Sequence, residues 1–312
     1  MSDSRIVVVG SLNLDRTYTV RKLPREGESL HADDHRTSPG GKGANQAVAA
    51  ARMGASVSLV GAVGADRAGT KLRNAAADAG VDVTHVRVDQ TNPTGEAVIL
   101  VDELGRNLII VSRGANDAVS ARDVTGAGIP AGWIVSGFEV PDSAVVEAAR
   151  RAREIGARFV LNPSPFRAIP EPVVGHIDVL VLNEHELETA LGAATQTSSD
   201  AALRAARDLL GTGLLVVTLG ADGAAAVSED HVFRAPGLAV SAVDTSGAGD
   251  AFTGVLIALL ASGRHLGQAL ERAVAAAAYA VTRPGTQGAY PTAADLDAWL
   301  DHRSELSTPK VG

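Results

Sequence analysis

The chain has 312 residues, enough for one large α/β domain or two small ones. Hydrophobic residues make up 46% but aromatics only 3%, so a large core must be built from Ala, Val, Leu and Ile. A net charge of −8 with scattered basic residues argues against a nucleic-acid partner, and the lack of cysteine excludes disulfides, thiolate nucleophiles and cysteine metal sites.

Residues 1–5 lead straight into an apolar strand too short for a signal-peptide core, and no apolar run reaches the roughly 18 residues of a membrane span. A cytoplasmic enzyme with no membrane partner is expected. Arg5–Val9 reads as the first strand, ending at Gly10. Ala44–Met53 has helical composition, and Val57–Val60 is the next strand. Further buried strands are predicted at Trp133–Ser136, Arg158–Leu161, Val179–Leu182 and Leu214–Leu219, with helices at Ser143–Ile155, Asp200–Leu210, Asp250–Ala261 and Leu266–Val281. This alternation predicts a mostly parallel sheet covered by helices on both faces, with ligands at the carboxyl ends of its strands. Two segments break the pattern. Thr17–Ser38 contains a polar, extended stretch, and Thr94–Val111 reads as a hairpin of Ala97–Val101 and Asn107–Val111 around a turn at Asp102–Arg106. They form either a small second sheet serving as a lid or an ordinary surface hairpin. Thr195–Ser199 reads as a polar loop and Ser304–Gly312 as a frayed tail.

Five motifs carry candidate chemistry. Asp244-Thr-Ser-Gly-Ala-Gly-Asp250 runs directly into an apolar helix. Small residues at a helix start leave backbone N–H groups open to an anion such as phosphate. Asp250 there either complements the helix dipole or accepts a proton from a hydroxyl attacking that phosphate. Gly40-Gly-Lys-Gly-Ala-Asn45 is not a Walker A loop, because Gly43 stands where Ser or Thr would hold Mg²⁺. Its glycines permit close approach, and Lys42 and Asn45 offer donors for polyol oxygens. Lysine is scarce here, since 24 of the 28 basic residues are arginine. Asn13 and Asp15, two apart in extended backbone, point the same way and can bind neighbouring hydroxyls, although Asx turns also follow strands. Asn183 and Glu186 open a helix, where they can hold Mg²⁺ directly or through water or serve only as first-turn residues. Thr218-Leu-Gly220 ends a strand with small residues suited to a nucleotide.

Together these pieces resemble the PfkB carbohydrate-kinase family, and within it the ribokinase group. The resemblance runs from Val7 to about Trp299 and is carried chiefly by Gly40–Ala55 and Val243–Leu256. It implies a ribokinase-like three-layer α/β/α fold with a mostly parallel central sheet and a small β-sheet lid. That is a single kinase domain over 1–312, with lid segments at roughly 13–40 and 92–113. It implies Asp250 as catalytic base, with Gly247, Ala248 and Gly249 as the anion hole. Asn13, Asp15, Gly41, Lys42, Asn45 and Glu139 would bind the sugar beneath apolar lid positions Ala97 and Ile109. Asn183, Thr218 and Gly220 would line the ATP site, with Glu186 organising Mg²⁺ through water. Asp244, Ser246, Val281 and Gly285 would hold a monovalent cation, K⁺, in a shell where a frequent serine corresponds to Ala289. The helix Val274–Tyr279 lacks the His or Asn sometimes found beside adenine. A homodimer through the lid is implied as well. The reaction expected is ATP-dependent phosphorylation of D-ribose at its 5-hydroxyl. Alternatives are another pentose, deoxyribose or a nucleoside as acceptor, or a non-catalytic sugar sensor on the same fold. An NAD-dependent enzyme is disfavoured because no G-x-G-x-x-G follows the first strand.

Overall fold

The computed structural model describes residues 4–128 and 130–307. The first half of the chain supplies strands β1 (Ile6–Val9), β2 (Asn13–Val20), β3 (Asp34–Gly40), β4 (Val57–Gly64), β5 (Val86–Asp89), β6 (Gly95–Asp102) and β7 (Asn107–Ser112). The second half supplies β8 (Trp133–Gly137), β9 (Arg158–Asn162), β10 (Val179–Asn183), β11 (Leu214–Thr218), β12 (Gly223–Val227) and β13 (Val232–Pro236). Helices α1 (Lys42–Arg52), α2 (Arg67–Asp78), α3 (Ala121–Ala127), α4 (Asp142–Ile155) and α5 (Glu184–Leu191) are followed by α6 (Asp200–Leu210), α7 (Ala248–Ala261), α8 (Leu266–Val281) and α9 (Ala293–Ser307).

Nine strands form the central sheet in the order β13-β12-β11-β10-β9-β8-β1-β4-β5. Pairing is parallel from β5 through β11 and antiparallel only at β12 and β13. Parallel strands covered on both faces read as unbroken apolar runs. The run Ile6–Val9 is accordingly buried throughout. Helices α1, α2, α7, α8 and α9 pack on one face and α3–α6 on the other, giving two aliphatic layers. The remaining strands pair in the order β3-β2-β6-β7 as a separate mixed sheet, the lid.

Two close backbone approaches set the site. A methyl on Gly43 would lie 2.5 Å from the Gly10 Cα, so β1 and the start of α1 meet at a contact only glycine permits. Gly254 of α7 faces the Gln46 carbonyl of α1 just as tightly. The expected frayed tail is in part helix, since α9 continues to Ser307; residues 308–312 lie outside the described residues.

Candidate active site

The turn before α7 places Gly247 at φ 72°, a left-handed conformation suited to glycine, as helix N-cap. The buried Tyr290 hydroxyl donates to the Gly247 carbonyl at 3.0 Å and pins the turn. The Ala248 N–H turns back to the Thr245 carbonyl at 3.3 Å. Those of Gly247, Gly249 and Asp250 have no acceptor among the described residues, so the open anion donors are these three rather than Ala248.

Asp250, in the first turn of α7, is only 6% exposed. Asn45 Nδ2 donates to its Oδ2 at 2.9 Å, and Gln46 Nε2 donates to its Oδ1 at 3.1 Å. Both amides come from α1, brought close by the Gly254 contact. Each is fixed in turn. Gln287 Nε2 donates to Asn45 Oδ1 (3.1 Å), Gln46 Nε2 also donates to Asn162 Oδ1 (2.9 Å), and Asn162 Nδ2 donates to the Val181 carbonyl (2.9 Å). Two neutral donors orient the carboxylate while leaving lone pairs for a substrate hydroxyl. Asn45, expected on the sugar, thus orients Asp250 as well. Gln46 directly follows the glycine-rich motif, but Asn162 and Gln287 carry no local sequence signal.

Strand register puts the lid residues on one face. Asn13 and Asp15 of β2 pair with Gly95 and Ala97 of β6, and Ile99, on the same face as Ala97, pairs with Ile109 of β7. Asn13 Oδ1 accepts from Asn116 Nδ2 at 2.8 Å, and Asn116 Oδ1 accepts from the Leu12 N–H at 3.0 Å. Asp15 lies so close to Gly40 that any side chain there would displace it. Burial and the carboxylates of Glu139 and Asp250 push the Asp15 pKa up to about 7, against a weaker lowering effect of Lys42. The Lys42 ammonium is held charged chiefly by Asp250, against burial, with help from Glu139, Glu186 and Asp15. Glu139 Oε2 accepts from the Lys42 N–H (3.0 Å) and from the Ser11 hydroxyl, which ties it to the start of α1. Gly41 sits at φ 89°, and a methyl on it would lie 2.6 Å from the Asn13 nitrogen, so this turn also packs directly against β2.

Two cavities meet at the α7 N-terminus. A cleft of about 560 Å³ is walled by Gly220, Leu238, Val240, Phe252, Val274 and Ala277, so the alanine-rich face of α8 forms apolar wall where a polar adenine partner is sometimes found. A polar cavity of about 230 Å³ contains Lys42, Asn183, Glu186 and Asp250. Thr218, Thr245, Ala248 and Gly249 belong to both. Asn183 and Thr218 are register partners at the ends of β10 and β11. Asn183 and Glu186 form a reciprocal capping box, at 2.8 and 2.9 Å. Glu186 faces the polar cavity with one oxygen committed to that cap and the other open to a hydrated Mg²⁺, which is bound through few carboxylates plus phosphates.

With Arg36 on Asp244, the expected monovalent-cation shell does not fit the residues present. Asp244 Oδ1 accepts from the Ser246 N–H (3.0 Å), and Oδ2 accepts from the Gly285 N–H (2.9 Å) and from Arg36. Burial opposes ionisation of Asp244, but these donors and the Arg36 charge together hold its pKa below the usual value. The Val281 carbonyl accepts from the Val243 (2.7 Å) and Asp244 (3.2 Å) N–H groups and Ala289 offers only a methyl, whereas no donor among the described residues reaches the Ser246 or Gly285 carbonyl.

An apolar cleft joined at a helix N-terminus to a polar cavity that holds an oriented carboxylate suits phosphoryl transfer to a small hydroxylated acceptor. Known proteins place the chain accordingly. The model of the pfkB family of carbohydrate kinases matches residues 3–293, and the chain belongs to that family, an ATP-dependent sugar kinase. It is 33% identical over 302 residues to the ribokinase of Haemophilus influenzae, covering 95% of this chain and 98% of that one. It is 35% identical over 302 residues to the deoxyribokinase of Salmonella typhi, with the same coverage. Its fold superposes on Arabidopsis thaliana ribokinase complexed with ribose and ATP with a TM-score of 0.85, at 30% identity over 96% of this chain and 99% of that one.

Proposed function

We propose that the protein transfers the γ-phosphoryl group of ATP to the 5-hydroxyl of D-ribose, with Asp250 as the base. The observation that carries this reading is the placement of Asp250. Its carboxylate is oriented by Asn45 and Gln46, lines one cavity with Lys42 and Gly249, and is near enough to Asp15 of the lid for its charge to act there. On this account Asn13, Asp15, Gly41, Lys42 and Glu139 hold the sugar, with Ala97 and Ile109 closing over it. The apolar cleft takes the nucleoside and the polar cavity its phosphates, lined by Asn183, Thr218 and Gly220. Mg²⁺ near Glu186 would offset phosphate charge when bound. The whole chain acts as one kinase unit, with segments 13–40 and 92–113 as the lid. The exposed apolar edge strand β7 supports a homodimer through the lid.

A second acceptor, 2-deoxyribose, is favoured by the comparable identity to ribokinase and deoxyribokinase. A panel of ribose, deoxyribose, other pentoses and nucleosides, followed by ADP release and phosphorus NMR of the product, separates the readings. Ribose is expected to give the highest kcat/KM and a 5-phosphate. A nucleoside outperforming both sugars would overturn the assignment.

A further inference from the structure

Asp244 lies three residues before the anion-binding turn, and an uncompensated carboxylate there would repel the phosphate the turn is built to receive. A cation must balance it. Arg36 of β3 meets this need, its Nη2 standing 2.5 Å from Asp244 Oδ2. Arg36 pairs in register with Thr17, which places it on the same lid face as Asn13 and Asp15. A second link runs beside it, where the Thr286 hydroxyl donates to the Pro39 carbonyl at 2.7 Å. Strand β3 is therefore fastened both to Asp244 and to the loop behind the anion-binding turn.

We propose that Arg36 is the resident counter-charge of this turn, a positioning residue that takes the place of an exchangeable monovalent cation and makes catalysis independent of K⁺. A guanidinium is permanently charged and forms directional bonds to a carboxylate. Unlike a solution ion, it is fixed to the strand that neighbours the sugar-binding residues of β2. The inference rests on the kinase reading given above, and its test has one arm that does not.

Wild type, Arg36→Gln and Arg36→Lys are assayed in buffers containing tetramethylammonium as the only monovalent cation, with and without added K⁺. Wild-type kcat is expected to change by less than about twofold, while Arg36→Gln loses about tenfold or more in kcat without K⁺ and recovers most of it when K⁺ is added. Arg36→Lys should retain intermediate activity without K⁺. Strong K⁺ activation of the wild type, or an Arg36→Gln enzyme as active as wild type without K⁺, would overturn the proposal. The independent arm is thermal unfolding, since an ion that binds only the folded state raises Tm. K⁺ should raise the Tm of Arg36→Gln and leave that of the wild type unmoved, and an equal response in both contradicts the proposal. If no variant phosphorylates any sugar, the kinase reading fails while the unfolding arm still decides the role of Arg36.

Discussion

Asp15 is held under opposing pressures. Burial and the neighbouring Glu139 and Asp250 carboxylates favour its protonated form, and Lys42 favours the ionised one, leaving its pKa at about 7. The ionised carboxylate can accept from two adjacent sugar hydroxyls, whereas the protonated one gives up an acceptor. The sugar KM is therefore expected to rise as pH falls below about 7, with kcat changing less. Asp15→Asn should flatten that dependence while raising KM throughout, and steady-state kinetics across the range check both. The same shift has a cost in stability. Because the folded state binds this proton more tightly than the unfolded chain, the contribution is full below the ordinary value of 3.8 and is lost as pH rises through about 7. At this scale the motif residues are legible in the sequence, but their supports are not. Asn116 behind Asn13, and Asn162 and Gln287 behind the Asp250 amides, act only across folded distances.

Among the elements, the contact between α1 and α7 governs the orientation of Asp250, the proposed base. Gly254 lets the Gln46 carbonyl approach, and Gln46 and Asn45 reach Asp250 only because the two helices lie this close. Gly254→Ala should destabilise the fold by about 1–3 kcal/mol through overpacking. It should also lower kcat more than it raises the sugar KM, because the amides orienting Asp250 move first. Denaturant unfolding and kinetics on the same preparation measure the two effects, and an unchanged kcat with reduced stability would show that the contact serves packing alone. The long β-branched runs and the amphipathic helices can be read from sequence because their composition matches their state. Strand β12, Gly-Ala-Ala-Ala-Val, cannot, since alanine favours helix and only pairing with β11 and β13 makes it a strand. The polar stretch at 17–38 likewise resolves into the end of β2 and most of β3, joined by a loop, only once β6 provides a partner.

Over the whole molecule, segments far apart in sequence converge at the strand ends: residues 10–15, 40–46, 183–186, 218–220 and 244–250. Their order and glycine spacing make the kinase class legible in the amino-acid sequence itself. The departure at Asp244 is not legible there, because its partner Arg36 lies 208 residues away and belongs to the lid. No helix among the described residues is long and apolar enough to cross a membrane. The central claim is that convergence puts one carboxylate between two separately built binding sites. Asp250→Asn tests it most directly, by measuring turnover beside ribose and nucleotide binding by calorimetry on the same protein. Turnover should fall by about 10²–10⁴-fold, the range for loss of a general base, with both affinities changed only slightly. A loss smaller than about tenfold, near 1.4 kcal/mol, with binding intact would contradict the assignment of Asp250 as the base.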